Sequence, residues 1–285
     1  MPHRSLLPLL LLPLLALPVT AQDVLPEIVV QAPGEAASQA FVGDVLDDTH
    51  GKQLARWHQP LCVTLRGFTP DQEGRFTKRL QDVASIAGLP PAKAGCKPNA
   101  IVLLTDAPDR LIDRMLVQHP GIFAPAKPSE VRRKLADGDV ARVWSVALTM
   151  GADGSTPDAA MKGGAVITSV KIAPGNASRL ASATRADLFR SMVILDVKGL
   201  VGLPLDAVAD HVAMRLLGQL GEAKGGRLPS ILSLFQTKAG ARPLALTEWD
   251  RALLRELYTA PAATTADRQR RQIARRLGET AGTAP

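Results

Sequence analysis

Three titratable residues between Gly202 and Leu220 form the nearest approach to a catalytic cluster: Asp206, Asp210 and His211. A carboxylate beside an imidazole can move a proton during hydrolysis, so a hydrolase with an unrecognised active site would use these residues. Asp206 and Asp210 are four residues apart and share a helix face, where they could also hold a cation weakly. A solvated acidic edge explains them better, because acidic side chains are favourable near a helix N-terminus.

The predicted elements around this cluster follow a definite order. A buried strand, MVILDV over 192–197, precedes a helix that begins after Pro204, and the segment SILSLF over 230–235 follows a glycine-rich break. A last packed helix covers Arg251–Tyr258, with Thr247 as its N-cap and Asp250 at the acidic position of a capping box. The apolar positions of the first helix have helical spacing, which predicts one buried face: Leu205, Val208, Ala209, Val212, Leu216 and Leu220.

This order resembles that of the zincin metallopeptidases, particularly their metzincin-like branch and a related family of uncharacterised exported proteobacterial proteins. In those enzymes a buried strand leads to a helix bearing His-Glu-x-x-His, then a Ser-Ile-Met type segment and a closing helix that begins Leu-Thr-x-x-Asp. The matching sequences here are VADHVAMRLLGQLG, SILSLF and LTEWDRALLRELY, within residues 190–260. The resemblance implies an α+β fold with a zincin-like mixed sheet, an active-site-type helix and a C-terminal closing helix.

The same resemblance implies that zinc chemistry has been lost. His211 stands at the position of the first zinc ligand, Val212 at that of the glutamate and Arg215 at that of the second histidine. Gly221 stands where a third histidine would follow, and only Gly218 agrees with the metzincin spacing beyond His211. Arginine has no acceptor and stays protonated, and valine cannot take a proton from water. We therefore predict no metal, no cofactor and no catalytic residue at these positions.

Composition and motifs argue against other classes of protein. The formal net charge of +7 suggests a nucleic-acid partner, but aromatic residues make up only 4% of the chain, which leaves little to stack on bases. The positive charges are also spread along the chain, except in the C-terminal tail. No Gly-x-Ser-x-Gly or Gly-x-x-x-x-Gly-Lys-Ser/Thr motif occurs. We predict neither nucleic-acid binding nor a serine hydrolase or nucleotide site.

The N-terminus has the pattern of a cleavable export signal. A positive start at His3-Arg4 precedes an apolar run from Leu6 to Leu17, and small residues favour cleavage after Ala21. The run is too short to span a hydrocarbon core of roughly 30 Å. We predict a periplasmic or secreted protein with no transmembrane segment.

A β-α-β unit is predicted after Pro60. Alternating apolar residues over 61–65 indicate a strand, Thr69-Pro70 opens a helix that Gly88 ends, and the apolar run over 99–105 is typical of a strand covered on both faces. Cys62 and Cys96 lie near the starts of these strands. An oxidising compartment favours their pairing, and the absence of Cys-x-x-Cys indicates a structural disulfide.

Weaker signals continue to residue 197. We predict a helix after Asp106, a short helix over 130–136, a strand over 140–150 and a strand over 165–172. The polar, glycine-rich sequence over 151–164 predicts a mobile loop between the last two.

The resulting domain prediction is a signal peptide over 1–21, a flexible leader over 22–58, a single α+β domain over 59–260 and a basic, mobile tail over 261–285. The predicted function is that of an exported non-catalytic binding or scaffolding protein, with an envelope protein or peptide as partner. Two alternatives stay open. One is the hydrolase centred on Asp206, Asp210 and His211; the other is a purely structural protein in which the face around His211 is filled.

Overall fold

A four-stranded mixed sheet organises the part of the chain that the structure describes. The computed structural model describes residues 35–46, 53–135, 139–162, 165–169, 182–223, 229–236 and 242–281. The strands are β1 (Val63–Arg66), β2 (Ala100–Thr105), β3 (Ala141–Gly151), β4 (Asp158–Lys162), β5 (Ala165–Ser169) and β6 (Thr184–Asp196). The sheet has the order β1-β2-β6-β3, in which β3 is an antiparallel edge strand and the other three are parallel. The predicted α+β class with a mixed sheet is confirmed.

Seven α-helices accompany the sheet in the described residues: α1 (Glu35–Val45), α2 (Pro70–Ile86), α3 (Pro108–Gln118), α4 (Pro128–Leu135), α5 (Leu205–Leu217), α6 (Glu248–Thr259) and α7 (Ala266–Ala281). Helix α2 shows why the local predictions succeed. Thr69 and Gln72 form a reciprocal capping box, and Pro70 occupies the first turn. The predicted capping box of Thr247 and Asp250 at α6 is also present.

The two faces of the sheet build two hydrophobic clusters, because successive strand residues point to opposite sides. Val193 and Leu195 of β6 face the larger cluster, which also contains residues of α1, α2, α5, α6 and α7. Met192 and Ile194 face the smaller one, where they meet α3, α4 and Trp144. The buried strand predicted from MVILDV is therefore covered on both sides.

The structure differs from the predicted flexible leader. Helix α1 lies within 22–58 and buries Phe41, Val42 and Val45 in the larger cluster. Gln53 donates hydrogen bonds to the backbone oxygens of Thr184, at 2.6 Å, and Thr264, at 3.1 Å. The prediction of a flexible leader did not anticipate that these three apolar residues form the buried face of a helix.

The predicted mobile tail differs in the same way, because most of it is α7. Ile273, Ala274 and Leu277 are buried, and α7 packs against α1 and α6. The sequence of the tail is rich in arginine, but three apolar residues lie at helical spacing and form one buried face of α7. The predicted signal peptide, over 1–21, lies outside the described residues, as does 22–34 of the leader.

Two further predictions concern the disulfide and the 151–164 loop. Cys62 and Cys96 are bonded, as predicted, across a sequence separation of 34 residues. The loop prediction is wrong for Asp158–Lys162, because these residues form β4 and pair with β5 in a hairpin.

Across the described segments, no helix combines the length and apolarity needed to cross a bilayer.

Candidate functional site

Helix α5 carries the predicted site residues and is buried almost all round. Its described neighbours include α2, α6, β6 and β3, and most of its residues have little or no exposed surface. A helix covered on every side belongs to the core, so any polar side chain on it must find a partner inside the protein. Val212 is fully buried and supplies no proton acceptor.

Asp206 and Asp210 lie in different environments despite their helical spacing. The side chain of Asp206 is 60% exposed and lies 3.5 Å from Arg75. Asp210 is buried and accepts two hydrogen bonds from Arg79, at 2.5 and 2.8 Å, and one from the backbone N–H of Leu246, at 2.9 Å. The predicted solvated edge is therefore wrong for Asp210, whose oxygens tie α5 to α2 and to the start of α6.

The ion pair with Asp210 changes the pKa of Arg79. The side-chain hydrogen bond to Asp210 raises this pKa, and burial lowers it by a smaller amount. Both carboxylate oxygens of Asp210 accept hydrogen bonds from Arg79, whose positive charge opposes the binding of a cation there. Arg79 was missed in the sequence, although Arg75 and Arg79 are four residues apart on α2 and opposite the two acids.

His211 is fully buried, and one of its ring nitrogens, Nδ1, is hydrogen-bonded to the backbone. Its Nδ1 lies 3.0 Å from the backbone oxygen of Ile231, and because a carbonyl only accepts, Nδ1 carries the proton. Its ring lies edge-on to Phe235, with centroids 4.5 Å apart. The segment over 230–235 therefore packs against α5 and holds the imidazole through the backbone oxygen of Ile231.

Asp250 fixes that segment in turn. It accepts hydrogen bonds from the backbone N–H of Ile231 and the hydroxyl of Ser230, and from the backbone N–H and hydroxyl of Thr247. Burial raises the pKa of Asp250, while these hydrogen bonds lower it. One carboxylate thus caps α6 and positions the carbonyl that holds His211.

An ion pair lies beside Nε2 of His211, the position predicted for a first zinc ligand. Nε2 of His211 is 3.2 Å from Oε1 of Glu222, and the guanidinium of Arg215 contacts the same oxygen. Glu222 is almost fully buried, and Arg215 is 11% exposed. A zinc ion needs convergent lone pairs, whereas Arg215 brings a fixed positive charge to them. The donor set does not fit zinc.

The described residues contain no group of three or more His, Cys, Asp or Glu side chains arranged to hold a metal ion. Glu222 was missed in the sequence, because a loop beyond α5 brings it back to His211. Its only signal was a lone acid one residue after the position expected for a third zinc ligand.

A polar cleft of about 250 Å³ opens beside this ion pair. The cleft, called the α5 cleft below, lies between edge strand β3, with Val143 and Ser145, and the extended segment over 218–222. Its charged lining residues are three basic and three acidic side chains: Lys134, Arg142, Arg215, Asp44, Asp139 and Glu222. The face beside His211 is therefore filled at the imidazole and open at Arg215.

Comparisons of the chain with protein-family models, with curated proteins and with solved structures found no match. The resemblance to zincins rests on the sequence order given above. The cluster of Asp206, Asp210 and His211 is not assembled as an open active site, because Asp210 and His211 are buried and bound to other groups.

Proposed function

We propose that this chain is an exported, non-catalytic binding protein built on a zincin-like fold that has lost its zinc site. The observation that carries the proposal is the contact of Arg215 and His211 with one carboxylate oxygen of Glu222. An internal cation there satisfies the buried carboxylate without a metal. The helix, the following segment and the closing helix keep their order, while the groups that would activate water are gone.

The α5 cleft is the surface that we assign to the partner. An edge strand has unpaired backbone groups, and an extended peptide can pair with such an edge. Strand β3 borders the cleft on one side, and the cleft lining offers charges of both signs. We therefore propose an extended segment of an envelope protein, or a free peptide, as the partner.

Export is supported by the disulfide and by the N-terminal sequence pattern. Disulfides persist in the periplasm and outside the cell, and Cys62 and Cys96 are bonded here. The localisation proposed is periplasmic or secreted.

The binding proposal can be tested with a matched pair of substitutions. Gln219 lines the α5 cleft, and Gln81 is exposed on α2, away from β3. The full mature chain, Gln219→Trp and Gln81→Trp would each be immobilised and exposed to envelope extract. We expect one partner to be retained by the wild type and by Gln81→Trp but lost from Gln219→Trp. Absence of any enriched partner, or equal retention by both variants, counts against the proposal.

A second arm separates this proposal from the hydrolase alternative. The same chain would be assayed with a panel of peptide and ester substrates beside His211→Ala. We expect no turnover by either protein. Turnover by the wild type that disappears in His211→Ala would favour the hydrolase.

A further inference from the structure

A second cavity lies away from α5, on a two-stranded extension of the sheet. Before residue 191, β6 does not pair with β2 and lies beside β3, so that 147–151 and 184–188 form a two-stranded ribbon with one isolated bridge from Arg56 to Asp187. A cavity of about 530 Å³ lies against this ribbon, which we call the ribbon cavity. That volume falls within the range of about 300–1,000 Å³ that is typical of small-molecule sites.

A β-bulge builds the apolar wall of the ribbon cavity. Val146 pairs with Arg190 and Ala147 with Leu188, so Phe189 is the extra residue. In a regular strand, Leu188 and Phe189 would point to opposite faces, but both line this cavity. Leu148 and Met150 of β3 complete the wall. Phe189, 49% exposed, therefore forms the open part of this wall, whereas Leu188 is only 2% exposed and packs in the larger hydrophobic cluster.

The polar end of the cavity is a compact cluster around Asp187. Arg185 donates two hydrogen bonds to the Asp187 carboxylate, at 2.9 and 3.0 Å, and Nε2 of His58 lies 3.3 Å from the same carboxylate. The three side chains are 19%, 14% and 29% exposed, in the order Arg185, Asp187 and His58. Each has its orientation fixed by the others, and all three line the cavity.

Two arginines and a histidine surround Asp187. Arg56 pairs with Asp187 through an isolated β-bridge and is buried behind the cluster, where its guanidinium donates to the backbone oxygens of Leu257 and Ala260. Burial lowers the pKa of His58, and the nearby Asp187 raises it. Arg185 is the charged donor that lines the cavity itself, and its side chain is 19% exposed. A partly exposed guanidinium beside an apolar wall can give a carboxylate charge-assisted hydrogen bonds.

We infer that the ribbon cavity binds a small apolar molecule with one carboxylate, of the medium-chain fatty-acid class. The hydrocarbon chain lies against Leu148, Met150, Leu188 and Phe189. The carboxylate lies at the polar end, near His58 and Arg185. The site is independent of the α5 cleft and of any peptide bound there.

Three probes of equal chain length test the chemistry of this site. Decanoate, decan-1-ol and decyltrimethylammonium would each be titrated calorimetrically into the full mature chain, below their micellar concentrations. Because hydrogen bonds to a charged group are stronger than those to a neutral one, we expect decanoate to bind at least about tenfold more tightly than decan-1-ol. We expect no measurable binding of the cation. Each methylene removed from the fatty acid should weaken binding about fourfold.

A matched pair of variants tests the place. Thr156 lines the cavity and is exposed, so Thr156→Trp should narrow it without disturbing the core. Thr149 lies between Leu148 and Met150 on β3 and points to the opposite face of the ribbon. We expect decanoate affinity to fall at least about tenfold in Thr156→Trp and to stay within about twofold in Thr149→Trp. Undetectable binding of decanoate, equal affinity for the alcohol or the cation, or equal loss in both variants would overturn the inference.

Discussion

The surroundings of α5 and the ribbon cavity use the same kinds of side chain in opposite ways. Around α5, Asp210, His211 and Glu222 are buried, and their contacts run to Arg79, to the Ile231 carbonyl and to Arg215. At the ribbon, Asp187, Arg185 and His58 also contact one another, but they border a cavity with an apolar wall.

The comparison shows that the same side-chain types can either join parts of the fold or border a cavity. A buried polar group that is fully engaged by the protein contributes to stability and specificity of the fold. A polar cluster that is oriented by its own contacts and left beside an apolar concavity is prepared for a ligand. Substitutions at α5 should therefore change stability, whereas those at the ribbon should change binding.

The largest expected effect is at Asp210. Asp210→Ala removes a buried carboxylate and leaves Arg79 and the Leu246 N–H without their acceptor. We expect the free energy of unfolding to fall by about 3–5 kcal/mol in urea denaturation. Asp206→Ala is the matched control on the same helix, and its exposed pair with Arg75 predicts a loss of about 0–1 kcal/mol. Equal losses in the two variants would contradict the distinction.

Arg56→Met is expected to have the next largest effect. The substitution keeps an apolar stem but removes the donors to the Leu257 and Ala260 carbonyls, at the C-terminal end of α6. Since buried acceptors are left unsatisfied, we expect a loss of about 2–3 kcal/mol in the same assay. Arg66→Met, at an exposed arginine of β1, should stay within about 0.5 kcal/mol of the wild type. A small loss at Arg56 would support the original prediction of a flexible leader.

Tyr258→Phe should produce a smaller loss. The hydroxyl donates to the Leu217 carbonyl at 2.6 Å, near the end of α5, and its removal should cost about 1 kcal/mol. Burial also raises the pKa of Tyr258, and it is the only tyrosine in the chain. In the unfolded chain the phenol ionises at about pH 10, whereas in the folded protein it ionises at a higher pH. The contribution of Tyr258 to stability is therefore complete below about pH 10 and declines as the pH rises above it.

An alkaline titration checks that sign. Phenolate absorbance should stay low in the folded protein above about pH 10 and rise together with the loss of secondary structure. An absorbance change centred near about pH 10 in protein that is still folded would show that Tyr258 is not buried.

The smallest effect on stability is expected at the ribbon. Phe189 is half exposed at the bulge, so Phe189→Ser should change the free energy of unfolding by about 0.5 kcal/mol or less. The same variant should bind decanoate at least about tenfold more weakly, because it removes part of the apolar wall. A large loss of stability with unchanged affinity would reverse the assignment of the two regions.

Local signals predicted most of the sheet and its helices. The capping residues Thr69 and Thr247 and the apolar runs of β2 and β6 each predict their structure within a few residues, and the disulfide followed from there being only two cysteines. The first half of β6 was missed, because TRADLFRS has neither a continuous apolar run nor regular alternation. This segment forms a strand because it pairs with β3, and the pairing is interrupted by a bulge.

The site depended on contacts that no local pattern contains. Arg79 reaches Asp210 across 131 residues of sequence, and Arg56 reaches Leu257 across 201. The sequence predicted that Arg215 excludes a metal, but it did not predict that Glu222 forms an ion pair with Arg215. Glu222 is positioned by a loop, whose path depends on the packing of the whole domain.

The central claim is that an ion pair stands where zinc would bind, and metal analysis tests it most directly. The full mature chain would be purified without a histidine tag, dialysed against buffer containing zinc and analysed by mass spectrometry for bound metal. Because Arg215 shares the Glu222 carboxylate with His211, the account predicts far less than one zinc per chain. One tightly held zinc per chain, lost in His211→Ala, would contradict it.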